Sequence, residues 1–431
     1  MDLDRRIKNI IYKIFLIILL VGVHAEFQLL NLNVGGKLIQ ISSAEIVIGI
    51  SVLFFICYFL FAEVKVSEVY QEKALIWILT FFCVSLLVST FVAKYRIEAI
   101  KYDLRIIVTM ILFCLLLSFL FKEKLKIFSI NVLIIVGILA SFFGILQFLH
   151  IDCVKNFLVH WGHGTWPNAA TSLFQHKNVF GNYLVLLLLI TTGQLKNSQY
   201  RPYRVFLGFI IGLFVLTLGL SLSRSAWVAF LVAASLFIFI KRRSKRVIMG
   251  AVALTLFFLV AITVHHVGRE RIIDHTTRKL WELKFDEVSF GRKRYYQSTA
   301  LMIKQYPIFG IGLNNFKNRY HEFINAPPNV TLNAHNQYLN ILAEQGLLGF
   351  FIFIVFVAYL IRLAISNINK GGNEFYALAI FAYLIGALFD YLWYDYSFIF
   401  MFWFVVILNL IEKRDLELKG VRDSGIEELG S

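Results

Sequence analysis

The sequence predicts an all-α, polytopic membrane protein with one large external loop. Three observations carry that prediction. Of 431 residues, 59% are hydrophobic and only 16% charged, with a mean hydropathy of +0.72, a balance foreign to soluble globular chains. Apolar runs near the ~20 residues that cross a bilayer recur along the whole length. Lysines and arginines gather in alternate connections between those runs, as they do when one side faces the cytoplasm.

Taken in order, about twelve spans are expected, near 10–30, 39–62, 74–93, 104–121, 127–149, 179–195, 203–221, 224–240, 247–265, 336–361, 374–392 and 396–411. One side holds Arg5, Arg6 and Lys8, then Lys122, Lys124 and Lys126, then Lys196, Arg201 and Arg204, then the run from Lys241 to Arg246, and finally Lys413 and Arg414. That side is read as cytoplasmic, with both termini inside. The connection near 94–105 departs from the rule, because Lys94, Arg96, Lys101 and Arg105 fall outside. The net charge of +15 is thus mostly a topology signal. Nucleic-acid binding is disfavoured, since the basic residues are scattered over short loops. The basic, then apolar N-terminus with Val23-His24-Ala25 has the outline of a signal peptide. The many spans that follow make an uncleaved first helix the expectation. Cys57, Cys83, Cys114 and Cys153 form no CxxC pair, so neither a metal cluster nor a disulfide framework is indicated.

The chain divides into helices one to nine (1–265), a long external loop (266–334), helices ten to twelve (335–411) and a cytoplasmic tail (412–431). A second external segment, 150–178, carries His150, His160, Trp161, His163, Trp166, Pro167 and His176. A loop as long as 266–334 argues for function. Within it, 292–306 reads as a helix ended by Pro307, followed by the turn-rich Phe309-Gly310-Ile311-Gly312.

With the N-terminus inside, every even-numbered span begins at the external surface. Helix starts present unpaired N–H groups and partial positive charge, and so attract phosphates. Three such starts carry unusual polar groups: His176-Lys177-Asn178, Ser221-Leu222-Ser223-Arg224-Ser225 and Asn333-Ala334-His335-Asn336. Arg224 lies one turn from Trp227, which allows an arginine–aromatic contact. An interface arginine snorkelling to headgroups is the competing reading, against a guanidinium gripping a diphosphate. Arg292 follows Phe290-Gly291, with Lys293 and Arg294 beside it; any of the three is also readable as a solvated loop charge. His335, at the membrane boundary, can exchange protons near neutral pH, although a lone boundary histidine is more often structural. His335, Leu339, Leu342, Gly346 and Gly349 fall on one helical stripe whose glycines favour close packing. Glu344 is costly in lipid and is expected to face the interior. Glu45, Asp390 and Asp395 stand near the same boundary and are candidates to support the arginines or the histidine.

These stretches resemble the O-antigen ligase and polymerase superfamily of bacterial envelope enzymes. Ser223-Arg224-Ser225-Ala226 is similar to its S-R-[ST]-x segment. Phe290-Gly291-Arg292 followed by Tyr306-Pro307-Ile308-Phe309-Gly310-Ile311-Gly312-Leu313 resembles its sGR…hPlfGvG pattern. Ala334-His335-Asn336 through Gly349 resembles its HN-x9-GxxG motif, and Phe174-Gln175-His176-Lys177-Asn178 is also family-like. The motifs cover roughly 174–350. The aromatic residue that usually follows the loop arginine as Trp is here Tyr296.

The resemblance implies a GT-C-type fold and an inverting glycosyltransferase. The donor it implies is a glycan carried on undecaprenyl diphosphate. No cofactor and no essential metal are implied. The implied location is the inner membrane, with the site facing the periplasm. Arg224, Arg292 and His335 become the catalytic candidates. His176, Lys177, Asn178, Ser223, Arg294, Asn336 and Tyr296 become the substrate-binding ones. Lipid A-core is the favoured acceptor, as in O-antigen ligase; the alternatives are a second lipid-linked repeat, as in a polymerase of O-antigen, capsule or wall polysaccharide, or a protein hydroxyl. A transporter or flippase is the rival class. It would place charges or broken helices near the bilayer midplane, whereas the polar groups here collect at the external boundary.

Overall fold

A computed structural model describes residues 2–24, 27–34, 37–61, 72–160, 169–240, 294–324 and 333–423. The helices are α1 (Asp2–His24), α2 (Ser43–Phe61), α3 (Lys73–Val92), α4 (Arg96–Glu123), α5 (Lys126–Phe148), α6 (Asp152–His160), α7 (Lys177–Asn197), α8 (Arg201–Leu220) and α9 (Arg224–Ile240). After them come α10 (294–305), α11 (Phe316–Phe323), α12 (Gln337–Asn369), α13 (Glu374–Gly386) and α14 (Tyr396–Asp423). Nine of the described helices are long and apolar enough to cross a membrane, and α9 and α13 are shorter apolar helices. The protein is a multi-pass, helical membrane protein. The span expected near 247–265 lies outside the described residues, as does Arg292.

Several boundaries differ from the sequence reading. The first span ends at His24. Between α1 and α2 the chain forms a small antiparallel hairpin, β1 (Gln28–Val34) and β2 (Lys37–Ser42). The alternation of apolar and polar residues in QLLNLNV and KLIQIS, separated by Gly35-Gly36, is a strand-and-turn pattern that the flanking apolar runs obscure. The span expected to reach 392 stops as a helix at Gly386, and residues 387–395 form a loop with one 3-10 turn, Leu392–Tyr394. The segment expected as a tail from 412 continues α14 to Asp423.

The core forms around two helices. In the apolar stretches of α14 and α7, 89% and 83% of residues are buried. α14 packs against α1, α4, α7, α12 and α13, while α13 wedges between α7, α9 and α12. α2, α3 and α8 lie outside and leave large apolar side chains uncovered, such as Leu60, Phe91 and Phe209, as a lipid-facing surface requires. Asparagines within the core hydrogen-bond across helices. Asn409 Nδ2 donates to the Tyr376 carbonyl at 2.8 Å, and Asn367 Nδ2 donates to the Asn409 carbonyl at 2.8 Å.

α12 is not one continuous helix. It breaks at Gly346 (φ 65°, ψ −168°). Broken helices survive in membranes only where their freed backbone groups find partners, and here the loop after α10 supplies them. Ile311 and Gly312 N–H donate to the Ala343 and Glu344 carbonyls (3.0 and 2.9 Å), while Leu347 and Leu348 N–H donate to the Pro307 and Ile308 carbonyls (2.7 and 3.2 Å). Ser89, one turn from the end of α3, also donates to the Glu344 carbonyl at 2.6 Å, so the break sits at the C-terminal end of α3. The close approach explains two motif glycines. A Cβ on Gly346 would stand 2.3 Å from the Ile308 oxygen, and one on Gly310 would stand 2.4 Å from the Glu344 carbonyl. Gly346 therefore receives the loop of the PlfGvG-like motif, rather than a packed helix as the stripe had implied.

Candidate functional site

The three polar helix starts converge at one end of the bundle. His176 caps α7: its backbone is extended, and Nδ1 accepts the Asn178 N–H at 3.1 Å. The start of α9 comes against α7 because Gly181 has no side chain; a Cβ there would lie 2.7 Å from Ser223 Cβ and 2.9 Å from Ala226 Cβ. Asn336 caps α12 by accepting the Leu339 N–H at 3.0 Å, and its Nδ2 donates to the Leu388 carbonyl at 2.9 Å. His335, just before that cap, has φ +48°, a left-handed backbone uncommon for side-chain-bearing residues.

Asp390, in the loop beyond α13, joins these starts. It is 1% exposed. His335 Nδ1 lies 3.1 Å from Asp390 Oδ1, which also accepts the Tyr391 N–H at 2.9 Å. Oδ2 accepts Asn178 Nδ2 at 2.8 Å. Ser223 Oγ donates to Asn178 Oδ1 at 3.1 Å and lies 3.1 Å from Ser225 Oγ. His176 Nδ1 is 3.9 Å from Asp390 Oδ2, near enough for charge to be felt; because that nitrogen already accepts the Asn178 N–H, the contact is not a hydrogen bond.

The electrostatics of this cluster follow from its geometry. Burial pushes the Asp390 carboxyl up, but the His335 hydrogen bond, the neighbouring His335 and His176 rings and the Asn178 amide together hold it below its ordinary range. Asp390 is therefore ionised at neutral pH, and a carboxylate can only accept from His335. That places the imidazole proton on Nδ1 and leaves the lone pair on Nε2, the arrangement by which a carboxylate orients a catalytic histidine. The His335 side chain is 28% exposed, so this dyad has a buried end and an open end. Burial lowers the His176 pKa, opposed by Asp390 and assisted by His335 and Lys177. His176 is thus neutral when it caps α7.

The structure brings together His335, Asn336, His176, Asn178 and Ser223, and puts Lys177 in the first turn of α7, partly exposed. Arg224 opens α9, exposed and next to Ser223 and Ser225. Trp227, anticipated as its aromatic partner, turns into the core instead: it is buried, and its Nε1 donates to the Leu218 carbonyl at 3.0 Å. Arg294 begins α10 and is exposed, as is Tyr296. The aromatic ring against the histidine is that of Tyr295, 5.3 Å from the His335 ring between centroids. Of the three boundary acids, only Asp390 reaches the histidine. Glu45 pairs with Arg105 at 3.5 Å and accepts from Tyr396 OH at 2.8 Å, while Asp395 caps α14 through the Phe398 N–H at 3.1 Å.

Residues 209–354 match the family model described as O-antigen ligase. That stretch is similar to an O-antigen ligase domain. The matched stretch runs from α8 into α12 and contains Ser223, Arg224, His335 and Asn336, while His176, Asn178 and Asp390 lie outside it. An uncharacterized protein of Haemophilus influenzae is 25% identical over 331 residues, covering 74% of this chain and 79% of that one. The family supports glycan transfer of the O-antigen ligase or polymerase type by a glycosyltransferase-like membrane enzyme acting on glycan and lipid-linked substrates.

Sequence reasoning singles out His335 but gives Asp390 no more weight than Glu45 or Asp395. It names Tyr296, whereas the ring that lies against His335 is that of Tyr295. Successive residues of α10 point to different sides, and only a partner in space distinguishes two adjacent tyrosines.

Proposed function

We propose that the protein transfers a glycan from undecaprenyl diphosphate to an acceptor hydroxyl at the outer face of the inner membrane, with lipid A-core as the acceptor. The observation that carries this reading is the His335–Asp390 pair at the meeting point of three helix starts, beside the exposed Arg224. The acceptor oxygen attacks the anomeric carbon while the bond from that carbon to the diphosphate oxygen breaks. His335 Nε2 takes the hydroxyl proton as general base, and Asp390 steadies the imidazolium that forms. The bonding pair leaves with the lipid diphosphate. Its growing charge is met by Arg224, by the loop arginine at 292 or 294, and by the N–H groups of the helix starts, which act most strongly where charge develops. One displacement inverts the anomeric centre. The choice of lipid A-core rests on the resemblance of the single long loop before His335 to the ligase branch.

The test is transfer in vitro. Purified protein receives undecaprenyl-diphosphate glycan with either lipid A-core or a second lipid-linked repeat, and His335→Ala runs alongside. Transfer to lipid A-core, lost in the variant, is the expected result. A ladder from lipid-linked repeats alone makes the protein a polymerase. Full activity in His335→Ala removes the base assignment. No transfer with either acceptor, when a control enzyme uses both, points to a protein acceptor and then to transport.

A further inference from the structure

The left-handed backbone at His335 has to be held in place, and the structure shows what holds it. His335 N–H donates to Asn333 Oδ1 at 2.8 Å. The preceding N–H, that of Ala334, donates to Asn340 Oδ1 at 3.1 Å. The other end of that amide, Asn340 Nδ2, donates to Glu344 Oε2 at 2.8 Å. Glu344 Oε1 accepts the N–H of Phe316, the first residue of α11, at 3.1 Å. Asn340 and Glu344 are 1% and 2% exposed. A buried carboxyl at this depth is costly, and the transfer mechanism assigns it no proton and no substrate.

We infer that Asn340 and Glu344 are positioning residues: a directional hydrogen-bond relay that sets the Ala334–His335 backbone and ties it to α11 of the external loop. The inference rests on His335 being the base. Its direction follows from the two ends. The Ala334 and Phe316 N–H groups can only donate. Asn340 must therefore turn its oxygen to Ala334 and its nitrogen to residue 344, and residue 344 must accept at both oxygens. A carboxylate does so and a carboxamide does not. In Glu344→Gln, the new amide nitrogen faces either Asn340 Nδ2 or the Phe316 N–H, donor against donor. In Asn340→Asp, two carboxylates face each other. The double variant N340D/E344Q restores every bond. The carboxylate introduced at position 340 accepts from both the Ala334 N–H and the new carboxamide nitrogen at position 344, while the carboxamide oxygen accepts from the Phe316 N–H. Total charge is unchanged and side-chain size nearly so.

The experiment measures kcat and donor KM for the full-length chain in lipid nanodiscs, with undecaprenyl-diphosphate glycan and whichever acceptor the wild type uses. Wild type, His335→Ala, E344Q, N340D and the double variant are compared, with thermal unfolding recorded for each. Each single variant is expected to lose about tenfold or more in kcat, with KM little changed, because a misplaced base slows chemistry more than it weakens binding. The double variant is expected to return to within about threefold of wild type. Single variants with wild-type kcat would overturn the relay, as would a double variant that regains folding but not kcat. If His335→Ala is inactive while both single variants match wild type, the relay alone fails. If His335→Ala is fully active, the base assignment fails first.

Discussion

The two ends of the bundle treat charge differently. At the lysine-rich end, cations meet carboxylates from other helices. Lys126 lies 3.1 Å from Glu412, Lys413 lies 2.5 Å from Glu72, Lys370 lies 3.8 Å from Glu417, and Lys196 pairs with Glu374. Pairs also occur at the opposite end, as between Lys94 and Glu322 at 2.8 Å. Around His335, however, the buried carboxylate is committed to the histidine and Asn178. Arg224 and Arg294 are exposed, and among the described residues no carboxylate pairs with either. A paired cation joins helices, whereas an exposed cation beside an oriented imidazole is available to an anionic ligand.

The sharpest test of that contrast is Asp390→Asn. It preserves shape but removes the acceptor that holds the His335 tautomer, and we expect kcat to fall about a thousandfold in the transfer assay, with folding retained. A loss no larger than that of a lysine-end variant would break the comparison. Because the native Asp390 pKa lies below its ordinary value, the stability it contributes is complete above the unfolded carboxyl pKa and is lost only as pH falls through the lower native value. Melting temperatures of wild type and variant should therefore differ by a constant amount from about pH 5 to 8.

Next in size is Gly346→Ala. Its Cβ would meet the Ile308 oxygen at 2.3 Å in a positive-φ backbone, and we expect a loss of about 3 kcal/mol or failure to fold, read by thermal unfolding in detergent. Gly208→Ala, where nothing lies within 4 Å, should be tolerated.

Arg224→Ala should lower kcat/KM about thirtyfold, with Arg224→Lys recovering only part because it lacks the planar fork. The loss should appear with diphosphate-linked donor and leave the melting temperature unchanged. The smallest effect belongs to the opposite end: Lys126→Ala should change stability by no more than about 1 kcal/mol and leave transfer unaffected. A larger loss of transfer there would erase the distinction between the ends.

How much of this was legible depends on the range over which each feature is determined. Helical spans follow from runs of apolar residues and their caps, which are local, so the sequence alone identified a polytopic helical protein. It also marked the three polar helix starts, because Asn336, His176 and Ser223 have the side chains that ends of helices require. Their convergence is a different matter. Asp390 stands 55 residues from His335, and nothing local distinguishes it from Glu45 or Asp395, which resemble it in charge and depth. Gly346 looked like a packing glycine because it keeps helical spacing, yet its conformation is set by the loop around Ile308, far earlier in the chain. Local chemistry determined which helices form and which of their starts carry polar caps. Tertiary packing alone decided which carboxylate orients the histidine and which helix is broken, because hydrogen bonds between distant segments exist only once the bundle closes.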